Sequence, residues 1–276
     1  MTNKNFIFFG GGDFSVKVAE ILFQNDFIPK FIVTTPDKPR GRKLILTPPP
    51  LKFWAQKNNI KIYQPEKLEI RNLKLEIGGE DINFNVVAAY GKILSKEIIS
   101  IPTINVHPSL LPKFRGPSPI QSFILSGEKE TGVTIMLTDE EVDHGPVLAV
   151  SRLTPHDSRL YYKELEEKLA ELGGKLLTET IPKFINNEIK PILQDHSRAT
   201  FTKKITKKDG LINLDIESPE IIERKIRAFT PWPSAYCFVN GKRIIITKAE
   251  IIAGKLKILR VKPEGKKEMN FIGKYL

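Results

Sequence analysis

Short apolar runs alternate with amphipathic stretches through the first half of the chain. Phe6-Ile7-Phe8-Phe9, Phe31-Ile32-Val33-Thr34, residues 60–63 and Asn85-Val86-Val87-Ala88-Ala89-Tyr90 read as strands. Residues 14–22 and 52–59 read as helices between them. This alternation predicts an α/β fold, a parallel sheet with crossover helices, whose ligands sit beyond the carboxyl ends of strands. Thr103-Ile104-Asn105-Val106-His107 is a further strand, and it carries Asn105 and His107 at such an end. Val133-Thr134-Ile135-Met136-Leu137-Thr138 and Val147-Leu148-Ala149-Val150 form a strand pair, with Asp143-His144-Gly145-Pro146 as the turn. Ser158 is placed to cap a helix whose Leu160, Tyr161, Leu165, Leu169, Leu172, Leu176 and Leu177 recur at helical spacing.

The pattern then changes. Residues 194–210 are polar and lysine-rich, and read as a linker. One helix over about residues 219–228 and short strands at 235–239, 242–246 and 256–261 suit a small β-barrel. The expected organisation is therefore a domain over 1–193, a basic linker over 194–210 and a small module over 211–276.

Composition adds limits. Of 276 residues, 41% are hydrophobic and 27% charged, ordinary values for a globular protein. No apolar run approaches the roughly 18–20 residues that span a bilayer. The start of the chain has no signal-peptide architecture, so a cytoplasmic protein with no membrane partner is expected. The single cysteine, Cys237, excludes an internal disulfide and a multi-cysteine metal site. Charge is more informative. Residues 1–196 hold 25 Lys and Arg against 24 Asp and Glu; residues 197–276 hold 18 against 8. The one-sided block of +10 is the footprint of a polyanion-binding surface, or else a solvated lysine-rich face.

Asn105 and His107 stand two apart, so the alternation of a strand puts both side chains on one face. Asp143 sits in a Gly/Pro turn, where a carboxylate has little packing purpose. An amide, an imidazole and a carboxylate can stabilise an oxyanion and move a proton, which is what transfer of a small acyl group to an amine requires. No second histidine stands at ligand spacing, so no metal is expected. His144 is expected to point away or to solvent, and His156 and His196 to be structural. The turn Gly10-Gly11-Gly12 follows a strand, but the dinucleotide fingerprint needs glycine where the chain has Ser15. The stretch 35–50 reads as a stiff loop bearing Lys38, Arg40, Arg42 and Lys43, suited either to reaching into an RNA or to being a solvated flap.

Several segments resemble the methionyl-tRNA formyltransferase family. They are Asn105-Val106-His107-Pro108-Ser109-Leu110-Leu111-Pro112, Lys113-Phe114-Arg115-Gly116-Pro117-Ser118-Pro119-Ile120 and Glu130-Thr131-Gly132-Val133-Thr134-Ile135-Met136. The likeness extends to Thr35-Pro36-Asp37-Lys38-Pro39-Arg40-Gly41-Arg42, Val87-Ala88-Ala89-Tyr90-Gly91-Lys92-Ile93-Leu94, Ile226-Arg227-Ala228-Phe229-Thr230-Pro231-Trp232-Pro233 and Gly265-Lys266-Lys267-Glu268-Met269. The Asn/His/Asp core is common to folate-dependent formyltransferases of this fold; the basic loop and the C-terminal matches single out the tRNA enzymes.

The resemblance implies a Rossmann-like, mostly parallel sheet and a C-terminal OB-like barrel. It implies formyl transfer from 10-formyltetrahydrofolate to the α-amine of initiator methionyl-tRNA, with tetrahydrofolate as product. Asn105, His107 and Asp143 match the catalytic positions, and Ser109, Leu110, Leu111 and Pro112 match a folate-binding segment, with Tyr90 and Gly91 assigned beside it. Lys38, Arg40, Arg42, Lys43, Lys203, Lys204, Lys207 and Lys208 are the tRNA-binding candidates, and a monomer is expected. Three departures stand out: Gly10-Gly11-Gly12 where the family reads Gly-Thr-Pro, Lys43-Leu44-Ile45 where it often reads Gly-Lys-Lys, and a module shortened by a few tens of residues between Ile252 and Lys266. The alternatives are a folate-dependent formyltransferase acting on an amino sugar nucleotide, and a tRNA-binding protein without activity.

Overall fold

The computed structural model describes residues 5–41, 44–79, 81–154 and 159–273. Strand β1 (Phe6–Gly10) is buried along its whole length, as a strand covered on both faces must be. Helix α1 (Asp13–Gln24) follows, then β2 (Phe31–Val33), a short hairpin of β3 (Lys38–Arg40) and β4 (Ile45–Thr47), α2 (Pro50–Lys57) and β5 (Lys61–Tyr63). After α3 (Ile70–Glu76) come β6 (Phe84–Ala88), α4 (Lys96–Ile99), β7 (Thr103–His107), α5 (Pro119–Ser126), β8 (Thr131–Leu137), β9 (Val147–Leu153) and α6 (Tyr162–Ile185). The chain closes with α7 (Pro219–Phe229) and strands β10 (Ala235–Val239), β11 (Lys242–Ile252), β12 (Lys255–Pro263) and β13 (Met269–Asn270). Ser158 and His156 lie outside the described residues.

Two compact units result. One comprises Met1–Arg115, Gly132–Leu153 and Glu166–Phe201. Its seven-stranded sheet runs β5-β2-β1-β6-β7-β8-β9, parallel from β5 to β7, with β8 antiparallel to β7. This is the parallel sheet the alternation implied, extended past β7 by an antiparallel strand into the mostly parallel, Rossmann-like form the resemblance implied. The change of direction at β8 matters for function: the chain leaves β8 beside the amino end of β7, with Thr138 N–H donating to Thr103 O, and then doubles back in a turn that brings Asp143 to Asn105. The 35–50 segment is a hairpin rather than plain loop, with Lys38 opposite Thr47 and Arg40 opposite Ile45.

The triple-glycine turn has a local cause. Ser15 Oγ donates to Ala88 O (2.6 Å) and accepts from the Gly11 N–H (2.8 Å), so it clasps the end of β1 to β6. A Cβ on Gly10 would lie 2.7 Å from Ser15 Cβ, so that glycine is required by close approach. Ser15→Ala strands a buried acceptor and an amide, and is expected to lower stability by about 1–3 kcal/mol. An unchanged urea midpoint would contradict this account of the turn.

The other unit comprises Gly116–Thr131, Thr154–Leu165 and Thr202–Leu276. Its four-stranded antiparallel sheet runs β10-β11-β12-β13. Ile222, Ile226 and Phe229 of α7 are buried at helical spacing, and the first two join Ala235, Ile244, Ile246 and Val261 in one core cluster. Ser218 caps α7, accepting from the Ile221 N–H. A capping box at Thr206 and Asp209 holds the short 3-10 helix Lys207–Gly210.

The Asp209 carboxyl is held down to about 2 by hydrogen bonds from Lys203 and Thr206. A carboxyl whose folded value lies below the unfolded one stabilises the fold above the unfolded value and loses that contribution as pH falls. The Asp209 contribution should thus be complete above about pH 4 and fade toward about pH 2. Asp209→Asn is expected to flatten this part of the acid unfolding curve; curves that superimpose would refute it.

Candidate active site

β7 delivers two side chains to one place. Asn105 faces Met136 of β8 and His107 faces Thr134, and the chain leaving β8 brings Asp143 alongside. Asn105 Nδ2 donates to Asp143 Oδ1 at 3.2 Å. His107 Nδ1 lies 3.6 Å from the same oxygen. His107 Nε2 is 3.0 Å from Phe114 O, and since a carbonyl only accepts, Nε2 carries the proton. Nδ1 is therefore the imidazole atom turned toward the carboxylate. The Asp143 side chain is 14% exposed against 5% for His107, so the carboxylate is the more accessible of the two.

Two non-glycine residues beside this cluster hold left-handed backbone: Asp143 at φ 49° and Phe114 at φ 60°. Such residues cost about 1–3 kcal/mol each and persist where the surroundings impose them. At the Asp143 turn, Leu137 N–H donates to Pro146 O (2.9 Å). A Cβ on Gly145 would come 2.0 Å from Leu137 O, so only glycine lets the turn close this tightly.

The segment after α6 supplies the remaining restraint. Ile192 exchanges backbone hydrogen bonds with Val147 at the start of β9. Gln194, 7% exposed, donates from Nε2 to Asp143 O (3.0 Å) and Gly145 O (2.7 Å). Gln194 Oε1 accepts from Arg115 Nε (3.2 Å) and Nη2 (2.7 Å). Arg115 Nη2 also donates to His196 Nδ1 (2.9 Å), which fixes His196 as the tautomer with its hydrogen on Nε2. The His196 ring stacks on His144 at 4.0 Å, and His144 Nδ1 meets Asp139 Oδ2 at 2.6 Å. Farther along, Thr200 Oγ1 accepts from the Phe114 N–H (2.8 Å) and Thr200 O from the Arg115 N–H (2.8 Å).

The segment after β7 is pinned as well. Ser109 Oγ donates to Lys113 O (2.6 Å), and Thr134 Oγ1 donates to Ser109 O (2.7 Å) while accepting from the Leu111 N–H (3.1 Å). Ser109 is fully buried, Leu110, Leu111 and Pro112 are half-buried, and Leu111–Pro112 is cis. Tyr90 lies in a core cluster with Ile7, Phe9, Phe31 and Val33, its hydroxyl buried without a hydrogen-bond partner, and burial pushes its phenol up to about 12. Gly91 is exposed with φ 74°.

Of the basic candidates, Lys38 and Arg40 lie on β3 and Lys38 is exposed, whereas Arg42 and Lys43 lie outside the described residues. Leu44, Ile45 and Leu46 are each more than 60% exposed, so the apolar bulk of this hairpin sits on the surface. Lys203 pairs with Asp209 at 2.8 Å, and Lys204, Lys207 and Lys208 are solvated.

Sequence reasoning missed Gln194, Thr200 and Arg115, and assigned His144 and His196 no part near the cluster. A polar segment without periodicity carries no signal for such long-range hydrogen bonds.

An amide donor, an imidazole and a carboxylate at one strand are suited to acyl transfer, and the comparisons with known proteins give the class. Residues 4–181 match the Formyl transferase family, and residues 204–255 match its C-terminal domain. A methionyl-tRNA formyltransferase of Chloroflexus aurantiacus is 41% identical over 249 residues, 89% of this chain and 79% of its own length. Two solved structures share the fold at 18% identity. A methionyl-tRNA formyltransferase from Clostridium thermocellum has a TM-score of 0.63, covering 94% of this chain and 98% of its own. A sugar N-formyltransferase from a Shewanella species has a TM-score of 0.67, covering 90% and 98%. The chain is a formyltransferase. It belongs to the methionyl-tRNA formyltransferase family.

Proposed function

We propose that this enzyme transfers a formyl group from 10-formyltetrahydrofolate to the free α-amine of initiator methionyl-tRNA. The observation that carries the reading is the convergence of Asn105 Nδ2, at 3.2 Å, and His107 Nδ1, at 3.6 Å, on one carboxylate oxygen of Asp143, in a chain 41% identical to a methionyl-tRNA formyltransferase. The fold leaves the acceptor open, because a sugar N-formyltransferase has it too. The +10 block over residues 197–276 favours a polyanionic acceptor over a small sugar nucleotide, which needs no such surface.

The donor set fits a formyl-bearing folate: a carboxamide N–H for the formyl oxygen, and an imidazole–carboxylate pair for a proton. When bound, the folate supplies an activated formyl carbon and a nitrogen leaving group. Asn105 donates to the formyl oxygen as negative charge develops there; such a donor is worth about 10²–10³ in rate. His107 joins it through Nδ1 when that atom carries a proton. Asp143 takes the proton released as the amine forms its C–N bond, directly or through water, and the proton passes to the folate nitrogen as its bond to the formyl carbon breaks. Ser109, Leu110, Leu111 and Pro112 hold the folate, with Tyr90 and Gly91 nearby. Lys38, Arg40, Arg42 and Lys43, with Lys203, Lys204, Lys207 and Lys208, attract the tRNA, and residues 211–276 form the tRNA-binding module.

Labelled formyl should pass from 10-formyltetrahydrofolate to the amine of methionyl-tRNA and not to an amino sugar nucleotide. The reverse preference would install the sugar reading. No transfer to either acceptor would favour a tRNA-binding protein.

A further inference from the structure

We infer that residues 192–201 act as a strap that sets the geometry of both proton-handling residues, with Gln194 and Thr200 as its two positioning side chains. The inference rests on the reading of His107 and Asp143 as the reacting pair.

The two strained residues beside the site are the two that the strap holds. At one end, the Gln194 carboxamide places both its N–H bonds on the Asp143 turn, at Asp143 O and Gly145 O. It cannot rotate to exchange its ends, because Arg115 offers only donors and already occupies Oε1 with two of them. The amide orientation is thus dictated by a guanidinium, itself 3% exposed, whose remaining contacts include His196 Nδ1 and the face of Phe201. At the other end, Thr200 Oγ1 takes the Phe114 N–H, and Phe114 O takes the His107 Nε2–H. The strap therefore reaches Asp143 through one carbonyl and His107 through the backbone of one residue, Phe114. Both restraints bear on the 3.6 Å separation between His107 Nδ1 and Asp143 Oδ1.

The stacked His144 and His196 rings close the assembly. Asp139 anchors the first and Arg115 the second, which joins the strap to the Asp143 turn a second time. Gln194 meets the Asp143 turn only at backbone carbonyls, and the Thr200 hydroxyl meets only the Phe114 N–H, so their effect should appear in the rate of the chemical step and not in substrate capture.

The test compares Gln194→Ala, Gln194→Glu and Thr200→Val in the full chain, by steady-state formyl transfer and by single-turnover transfer in the wild-type and Asp143→Asn backgrounds. Glu keeps the acceptor for Arg115 and loses both donors to the turn. It should therefore be no better than Ala, with either lowering kcat by about 10–100-fold and leaving both KM values within about threefold, since misplacing a reacting group by an ångström has effects of that order. In Asp143→Asn, adding Gln194→Ala should cost less than about threefold, because residues acting through one group are non-additive. Thr200→Val keeps the side-chain volume and should lower kcat by about 3–30-fold.

A kcat within twofold of wild type for both Gln194→Ala and Thr200→Val overturns the proposal. So does a Gln194→Ala loss that persists undiminished in Asp143→Asn. If Gln194→Ala fails to fold, Gln194→Glu and Thr200→Val decide. If the wild type proves inert toward methionyl-tRNA, the functional reading fails and the strap is judged by amide hydrogen exchange. Faster exchange at Phe114 in Thr200→Val and at the 143–145 turn in Gln194→Glu supports it, and unchanged exchange refutes it.

Discussion

Asp143→Asn is expected to lower kcat by about 10²–10⁴-fold, the range that a positioned acid–base group contributes. The substitution is close to isosteric, and the new amide oxygen can still accept from Asn105 Nδ2, so the hydrogen bond at 3.2 Å need not break. What disappears is the negative charge beside His107 Nδ1 and the capacity to take a proton. Affinity for methionyl-tRNA should stay within a few-fold, because the residues proposed to contact tRNA lie elsewhere on the chain. Measured under single turnover at saturating substrates, a loss of less than about tenfold would remove Asp143 from the chemistry. Equal inactivity of mutant and wild type would favour a binding protein.

The second large effect concerns the acceptor. Binding of methionyl-tRNA should weaken steeply with salt, because each neutralised phosphate releases condensed counterions. If four of the solvated cations engage phosphates, log K against log salt has a slope of about −3 to −4, which amounts to about 100-fold between 50 and 200 mM. Replacing Lys204, Lys207 and Lys208 together with Ala should flatten that slope by about 2–3, with the saturating single-turnover rate preserved. Lys203 is excluded from the triple because it is engaged with Asp209. A slope near zero in the wild type would dissociate the basic C-terminal block from tRNA. The two experiments separate chemistry from capture: the first moves the rate at fixed affinity, the second the affinity at fixed rate.

What could be read from the chain follows from how far apart the partners lie in it. Asn105 and His107 were legible because strand alternation is a local rule and their spacing of two satisfies it. Asp143 stood out because a carboxylate in a Gly/Pro turn lacks a packing role. The helix α7 and strand β10 fall within a residue of the segments their periodicity marks. The hairpin of β3 and β4 escaped notice since each strand is three residues long, and Pro39 and Gly41 read as breakers. Gln194, Thr200 and His196 escaped for another reason. Their partners, the Asp143 turn, Phe114 and Arg115, come from other parts of the chain, and nothing in a polar segment announces which carbonyl or amide it will meet.

The position of the strap in the chain has a practical consequence. The boundary suggested by composition, after residue 193, falls one residue before Gln194. A polypeptide ended there would keep Asn105, His107 and Asp143, yet lose the amide that holds the Asp143 turn and the hydroxyl that holds Phe114. One ended after Phe201 would keep both. Eight residues of apparent spacer thus separate a truncation that keeps the proposed strap from one that loses it.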